Sequence, residues 1–508
     1  MSDLHDETDL RVELTRVVGE LSEARLENRC LREKIQRLLQ ERFGAKSEEL
    51  DRAQLLLMLG GVDPGKSSEP VAAEAPRRSK DPSPPRKRRL RTPEDLPIVE
   101  EVIVPEPVKA CPEAWRQIGE EVTVLLDFEP ARFFKRRIVR PKYARRDHPY
   151  APPIVAPLQT LQDRCVAAPG LVAAVVVGKY CDHLPLYRQE QIFASRHDVH
   201  LPRQTMAQWM ALAADWLKPV YEEMRKEVLA SGYVQVDETP IEYLAPGHGE
   251  TKLGYLWTCA HPSGDTIFHW QTSRAAKCLD IVLPSDWTGT VQCDGYAAYP
   301  AFARQRSGKN AITLAGCWAH ARRAIFQGRD AEPRACGWLL NQIGQLYGIE
   351  RELRTTRAGP RLREATRSWK SAPILPRIHA ALVKLRGRFL PQSALGKACA
   401  YILQQWPALL RFVKDGQLEM DNNRVENAIR PTAIGKKNWL FVGSANAGER
   451  GAILYTIVES CRRHGIDPLA YLRDVLTRLQ RMTTKEIPTV TPKAWAETQH
   501  PPQQRRAA

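Results

Sequence analysis

The chain has 508 residues, too many for one compact core, so about two to four domains are expected. Its 75 Lys and Arg against 59 Asp and Glu give a formal charge of +16 and a pI near 9.4. That balance favours an anionic partner, nucleic acid first, although basic surfaces also meet membranes and ribosomes. No stretch is long and apolar enough to be a transmembrane helix, and the acidic start MSDLHDETDL is no secretory signal. Eleven cysteines, an odd number with no C-x-x-C pair, read as the reduced thiols of a cytosolic protein.

Residues 8–45 predict a leucine-zipper coiled coil. Leu10, Val17, Ala24, Leu31 and Leu38 form one seam; Leu14, Leu21, Asn28 and Ile35 form the other. Steps of four and three alternate, so the first series takes d positions and the second takes a positions. Asn28 at an a position costs stability but fixes register and strand number. A homo-oligomer is expected. Nothing basic precedes the zipper, so it does not fork into a DNA groove as a basic zipper does.

Residues 46–98 read as a basic, Pro-rich linker with too few apolar residues for a core, and the run Arg86 to Arg91 suits non-specific phosphate contact. A small β module follows over 99–155, including EEVTVLLDFEPARFFKRRIVRPKY. Over 156–224 the pattern is helical. A short helix from Leu186 to Phe193 and a polar turn through Asp198 lead to a second helix that Pro202 opens. That is helix-turn-helix spacing, with Arg203, Gln204, Thr205 and Gln208 where a recognition helix reads DNA.

From 225 to 329 the pattern turns to strands. GYVQVDETPIEYL, KLGYLWTCAHPSG and DTIFHWQTS predict three consecutive strands, the last two joined by a Pro-Ser-Gly-Asp turn. A helix near Ala275 to Leu283, the strand VQCD and the strand-helix unit ITLAGCWAHARRAIF complete this part. Residues 330–416 read as an all-helical insertion and 417–465 as the return to the same domain. PLAYLRDVLTRLQRM, within 466–484, is a last amphipathic helix, and 485–508 a disordered tail.

Three acids stand in distinctive settings: Asp237 in VQVDETP, Asp294 in VQCDGYAAYP and Glu426 in DNNRVENAIRP. The first two are expected where their strands end; the third lies on a short helix that Pro431 should stop or kink. Each has a purely structural reading as well. Asp237 can cap the turn before Pro240, Asp-Gly at 294–295 is a hairpin signal, and Asn423 with Glu426 has capping-box spacing. Two carboxylates from adjacent strands and one from a helix can instead converge on a pair of divalent ions, which clamp the attacking and leaving oxygens of a phosphodiester. Arg430, Lys436 and Lys437, downstream of Glu426, suit phosphate contacts better than a plain cap does.

The strings VDETP, CDGYAAYP, GCWAHARR, DNNRVENAIRP, KKNWLFVGS and DPLAYLRDVL together resemble the insertion sequence sixty-six family of bacterial transposases, over nearly the whole chain. The resemblance implies an α/β architecture. An RNase H-like catalytic domain with a helical insertion would follow an N-terminal coiled coil, a small β module and a helix-turn-helix. It implies Asp237, Asp294 and Glu426 as catalytic acids holding two magnesium (or manganese) ions. Water would cut at the element's ends, and the freed 3′-hydroxyl would attack target DNA. It further implies DNA as partner, accessory proteins of the same element, no membrane, and a place in the bacterial cytoplasm with the nucleoid.

One departure concerns the family's zinc-binding segment. ACPEAWRQIG keeps Cys111 without a partner three residues on, and with His148 supplies two ligands of the four a structural zinc needs. No zinc is expected there. Cys317 and His320, three apart at a helix start, form half a metal site whose other half is not visible, so packing is expected for Cys317. His320, with Arg322 and Arg323 beside it, is expected against the scissile phosphate or near Asp294. Asp421 rivals Glu426 as third acid, and Trp439 reads as core rather than as a stacking platform. Besides the transposase, two functions fit the sequence: an inert dimeric DNA-binding protein derived from one, and a different RNase H-like nuclease.

Overall fold

The computed structural model describes residues 96–499, apart from 130–131, 148–149, 164, 246–249 and 307. The predicted coiled coil, almost all of the linker, and His148 therefore lie outside the described residues.

The first sheet is built from β1 (Ile98–Val102), β2 (Trp115–Glu129) and β3 (Arg132–Arg145), in the order β1-β3-β2. β2 and β3 pair antiparallel from Trp115 opposite Arg145 to Glu129 opposite Arg132, with one register shift at Gln117/Gly119. A five-residue helix, α1 (Glu106–Ala110), leads from β1 to β2. Leu125 and Ile138 turn inward with Ala168 as a small core. This is the expected β module. Cys111 lies exposed at the turn after α1.

Next come α2 (Pro169–Tyr180), α3 (Leu186–His197) and α4 (Arg203–Ala230). The α3–α4 pair matches the predicted helix-turn-helix in position. Asp198 closes α3 in the left-handed region (φ 52°), a conformation Asp tolerates better than most residues. Two details differ from expectation. Pro202 is the N-cap of α4 rather than its first residue, and α4 runs 28 residues, across the boundary drawn at 224. The reason is a continuous apolar stripe: Met206, Met210, Ala213, Leu217, Val220, Met224 and Val228 are all buried in the core that also holds the second sheet.

That second sheet contains β4 (Tyr233–Leu244), β5 (Thr251–Ala260) and β6 (Thr266–Gln271). After α5 (Leu279–Val282) come β7 (Gly289–Gln292), α6 (Ala298–Gln305) and β8 (Ile312–Ala315). The order is β6-β5-β4-β7-β8, antiparallel among β4, β5 and β6 and parallel through β7 and β8. α7 (Trp318–Gln327) leaves β8 and enters the helical insertion: α8 (Pro333–Thr355), α9 (Pro360–Thr366), a π-helical turn at Arg367–Ser371, α10 (Leu375–Arg386), α11 (Ala394–Leu409) and α12 (Arg411–Lys414). The insertion has its own core, including Leu339, Ile343, Leu346, Ile378, Leu382, Cys399 and Ile402, closed against the fully buried Trp318 of α7. Its one deeply buried ion pair is bidentate: Arg367 Nε and Nη2 reach Glu350 at 2.7 and 2.8 Å, and Nη1 serves the carbonyls of Phe412 and Asp415.

The chain returns through α13 (Asn423–Trp439), β9 (Phe441–Val442) and α14 (Ala445–Arg463), then α15 (Pro468–Arg478). α13 does not stop at Pro431. The proline forfeits one backbone hydrogen bond, but Val425, Ala428, Ile429, Thr432 and Gly435 are buried on both sides of it and carry the helix through. The end also differs from expectation, because α15 is not the last helix. A turn of 3-10 helix at Thr484–Val490 and α16 (Pro492–Gln499) follow, and Val490, Trp495 and Ala496 are buried in the main core.

β4 organises the centre. Its first residues, Tyr233 to Gln235, pair with β7, and Glu242–Tyr243 pair with β9. Between them this edge of β4 has no strand partner, and α13 packs there. Asp237 stands in that gap.

Candidate active site: an acid cluster where β4 parts from β7

Asp237 lies inside β4 rather than at its end, since the strand continues against β5 as far as Leu244. What ends beside it is the pairing with β7. Asp294 follows β7 by two residues, as expected, and accepts the Tyr296 amide on Oδ1 at 2.9 Å. Asp-Gly here is no hairpin, because the chain goes on into α6. Gly295 is required for space: a Cβ there would lie 2.2 Å from the Tyr401 ring of α11. Glu426 occupies the first turn of α13, whose N-cap Asn422 makes no side-chain capping bond.

A buried polar network holds these three segments together. Gln235 Nε2 donates to Gln292 Oε1 at 2.9 Å and to the Asp421 carbonyl at 2.8 Å. Gln292 Nε2 donates to the carbonyls of Gly316 (3.1 Å) and Glu419 (2.8 Å), while its Oε1 also accepts the Tyr233 hydroxyl at 2.6 Å. The Glu419 amide donates to that hydroxyl at 3.1 Å. Each glutamine stands two residues before an acid, at Gln235–Asp237 and Gln292–Asp294. Thus β4, β7, the end of β8 and the segment leading to Glu426 are tied to one another. Asp421, the rival third acid, is used in this framework: its carboxylate accepts the Asn423 amide, and its carbonyl accepts Gln235.

The acids feel one another. Asp237's carboxyl is pushed up to about 8, first by burial, then by Glu238, Glu426 and Asp294. Glu238 is itself paired with Arg274, whose Nε donates at 2.7 Å, and accepts the Tyr299 hydroxyl at 2.8 Å. The Arg274 guanidinium lies 3.7 Å from the Tyr296 ring centroid. Glu238, Arg274 and Tyr296 were not singled out from sequence; a second acid directly after Asp237 was the available signal.

Glu426 faces another way as well. Its Oε1 lies 3.5 Å from His320 Nδ1 and its Oε2 3.5 Å from Arg323. Cys317, buried at the N-cap of α7, accepts the Asn422 amide, and burial pushes its thiol up to about 12. Arg322 and Arg323 line a cleft of about 420 Å³ with Ala319, Phe326, Tyr347 and Asn423.

The other predicted contacts are spread. Arg430 and Lys437 are exposed on α13, whereas Lys436 donates to the Pro240 carbonyl at 3.1 Å and is tied to β4. Trp439 is half-buried against the main core, with the Lys179 ammonium 5.8 Å from its ring. Arg203, Gln204 and Gln208 are exposed at the start of α4, with Arg203 3.8 Å from Glu190.

The model of the Transposase IS66 family matches residues 164–450, which span β4 to α13 and all three acids. This chain belongs to the IS66 family of transposases. Models of the IS66 C-terminal element and of the Transposase C of IS166 homeodomain match residues 456–492 and 30–101. Among similar proteins are three uncharacterised ones from Sinorhizobium fredii. The protein y4jD is 34% identical over 90% of this chain and 92% of its own. The figures for y4qI are 35% over 78% and 75%, and for y4hP 31% over 91% and 88%. As a member of a transposase family the chain is a DNA-acting protein, and none of its described helices is long and apolar enough to cross a membrane.

Proposed function

We propose that this transposase is a DDE-type polynucleotidyl transferase. It would cleave DNA at the ends of a bacterial insertion sequence and join the freed 3′-hydroxyl to target DNA, with Asp237, Asp294 and Glu426 as its catalytic acids. The observation that carries the reading is that Asp294 and Glu426, from two other segments, both act on the buried carboxyl of Asp237, although the three carboxylates do not all lie within 4.8 Å of one another. A carboxyl held near 8 by burial and neighbouring carboxylates marks a place where negative charge is concentrated. The donor set is all carboxylate oxygen, which suits magnesium or manganese. The strand order, three antiparallel strands followed by two parallel ones, supports an RNase H-like reading of the sheet.

Asp237, Asp294 and Glu426 would together hold the two ions. When bound, such ions supply an activated nucleophile and charge stabilisation on the attacking and leaving oxygens. The chain's own groups do the rest. Arg274 and Tyr299 occupy both oxygens of Glu238, and Arg323 lies beside one oxygen of Glu426. Arg322, His320, Arg430 and Lys437 would meet phosphates along the strand. Arg203, Gln204 and Gln208 would read DNA from the start of α4. Self-association through the N-terminal zipper, help from accessory proteins of the element, and nucleoid association belong to the same proposal.

The test is a cellular transposition assay with a marked element and its accessory genes. Wild-type protein should mobilise the marker, and Glu426→Gln should bind the ends without moving it. Strand transfer by Glu426→Gln would refute the assignment. End binding by the wild type with no movement would favour the inert DNA-binding reading instead.

A further inference from the structure

Cys317 and His320 now have the third group that sequence did not reveal. Their ligand atoms and a carboxylate oxygen of Glu426 all lie within 4.8 Å of one another, the one such group among the described residues. Two of these atoms, His320 Nδ1 and Glu426 Oε1, are closed to solvent yet make no hydrogen bond, and they face each other at 3.5 Å. A buried polar pair without a donor geometry is costly, and a cation between the two would satisfy both. We propose that Cys317, His320 and Glu426 form a site for a thiophilic divalent ion such as Zn²⁺, which shares Glu426 with the acid cluster but neither Asp237 nor Asp294.

Geometry and chemistry agree on this. Zinc bonds of about 2.0–2.3 Å to S, N and O at tetrahedral angles set ligand atoms roughly 3.3–3.7 Å apart. From separations within 4.8 Å this needs a contraction of about 1–1.5 Å at most, within reach of side-chain rotation. A sulfur, an imidazole nitrogen and one carboxylate oxygen select a borderline-soft ion over magnesium. Three protein ligands leave one position open for water or a phosphate oxygen. Supporting contacts are present. The Asn422 amide donates to Cys317 Sγ at 3.5 Å, and Arg323 neutralises the other oxygen of Glu426. Binding would release the thiol proton to solvent, leaving thiolate as the ligand.

This goes beyond the proposed chemistry and makes one contact with it. If Glu426 is the third catalytic acid, an ion held with Cys317 and His320 turns its carboxylate away from Asp237 and Asp294. A thiophilic ion is then an inhibitor.

The decisive measurement is optical titration of the metal-free full-length protein with Co²⁺. One equivalent should produce a thiolate-to-cobalt charge-transfer band that Zn²⁺ displaces. Cys317→Ser should abolish the band. His320→Asn should weaken Co²⁺ binding by at least about 10- to 100-fold, the range lost even when groups behind a ligand are removed. Thermal melts of both variants guard against simple unfolding, and either variant alone carries the test if the other fails to fold. No band, or a band and affinity unchanged in both variants, overturns the site. With magnesium present, zinc should slow strand transfer by the wild type and spare Cys317→Ser, each relative to its own zinc-free rate. An intact band with zinc-insensitive transfer supports the ion site and places the fault in the catalytic reading of Glu426.

Discussion

Replacing Gln292 by Met keeps side-chain length while removing the amide that ties the acid-bearing segments together. The consequences can be counted from the contacts. The carbonyls of Gly316 and Glu419 lose their donor, and the Tyr233 hydroxyl loses its acceptor. Gln235 keeps the Asp421 carbonyl. Three buried polar groups are thus orphaned, each at about 1–3 kcal/mol. Relaxation of the 419–422 segment absorbs part, so the expected cost is roughly 3–5 kcal/mol, a large share of a typical total stability of about 5–15 kcal/mol. The assay is guanidinium unfolding of wild type and variant, read as a shift in midpoint at constant slope. Gln235→Met should cost less, because it orphans the Asp421 carbonyl alone, and the double variant should cost less than the sum, because either single already breaks the Gln235–Gln292 bond. A loss below about 1 kcal/mol for Gln292→Met would refute the claim that this network holds the site.

Two further outcomes are expected. In metal-free protein, Asp237's carboxyl, raised to about 8 by burial, Glu238, Glu426 and Asp294, keeps a proton in the folded state that the unfolded chain releases near pH 4. The folded state then binds more protons, so stability falls as pH rises from about 4 to about 8, by up to about 1.4 kcal/mol per pH unit for this group. Glu459, raised to about 7 mainly by burial, acts in the same direction. Buried His269, held down to about 3, acts in the opposite direction below the ordinary histidine range, so melting temperatures should decline between about pH 7 and pH 8. The decline should be shallower in Asp237→Asn, and magnesium or manganese at pH 8 should restore stability to the wild type; an equal slope in wild type and Asp237→Asn would sink the assignment. Separately, Arg367→Met leaves the buried Glu350 carboxylate with Arg363 at 3.6 Å and strands two carbonyls in the insertion, and should cost about 3–5 kcal/mol by thermal or denaturant unfolding, part of it recovered in Arg367→Met/Glu350→Leu. A near-neutral Arg367→Met would show that the pair is dispensable.

The strands and helices of the second sheet were legible because their periodicity is strong: VQVDETPIEYL, LWTCA and TIFHW alternate or run apolar, and the turns carry Gly, Pro and Asp. The insertion was legible as helix throughout. Misreadings came where tertiary packing overrides a local signal. Pro431 reads as a stop, yet burial on both sides of it carries α13 eight residues further, to Trp439. The segment after 484 reads as tail because it is short and Pro-rich, yet Trp495 Nε1 donates to Asp474 at 2.8 Å and its ring packs against Tyr471. Asp237 reads as a strand end because Pro240 follows. Pro240 has no amide to give, and it sits on β4 where that edge has no strand partner.

The glutamines show what kind of information was present but unread. V-Q-x-D occurs twice, at 234–237 and 291–294, on two neighbouring parallel strands. With side chains alternating, a residue two before an acid lies on the same face of the strand, so Gln235 and Gln292 must meet beneath the two acids. Buried amides with four hydrogen-bonding groups each need a matching set of partners, and these recruit carbonyls from β8's end and from the segment before α13. The same pair that sets the spacing of Asp237 and Asp294 therefore also delivers Glu426, across 132 residues of sequence that include the whole insertion. The insertion contributes to this as well: Arg354 and Arg363 each reach one oxygen of the Glu419 carboxylate at 3.0 Å, so the segment that leads to Glu426 is held by the glutamines on one side and by insertion helices on the other.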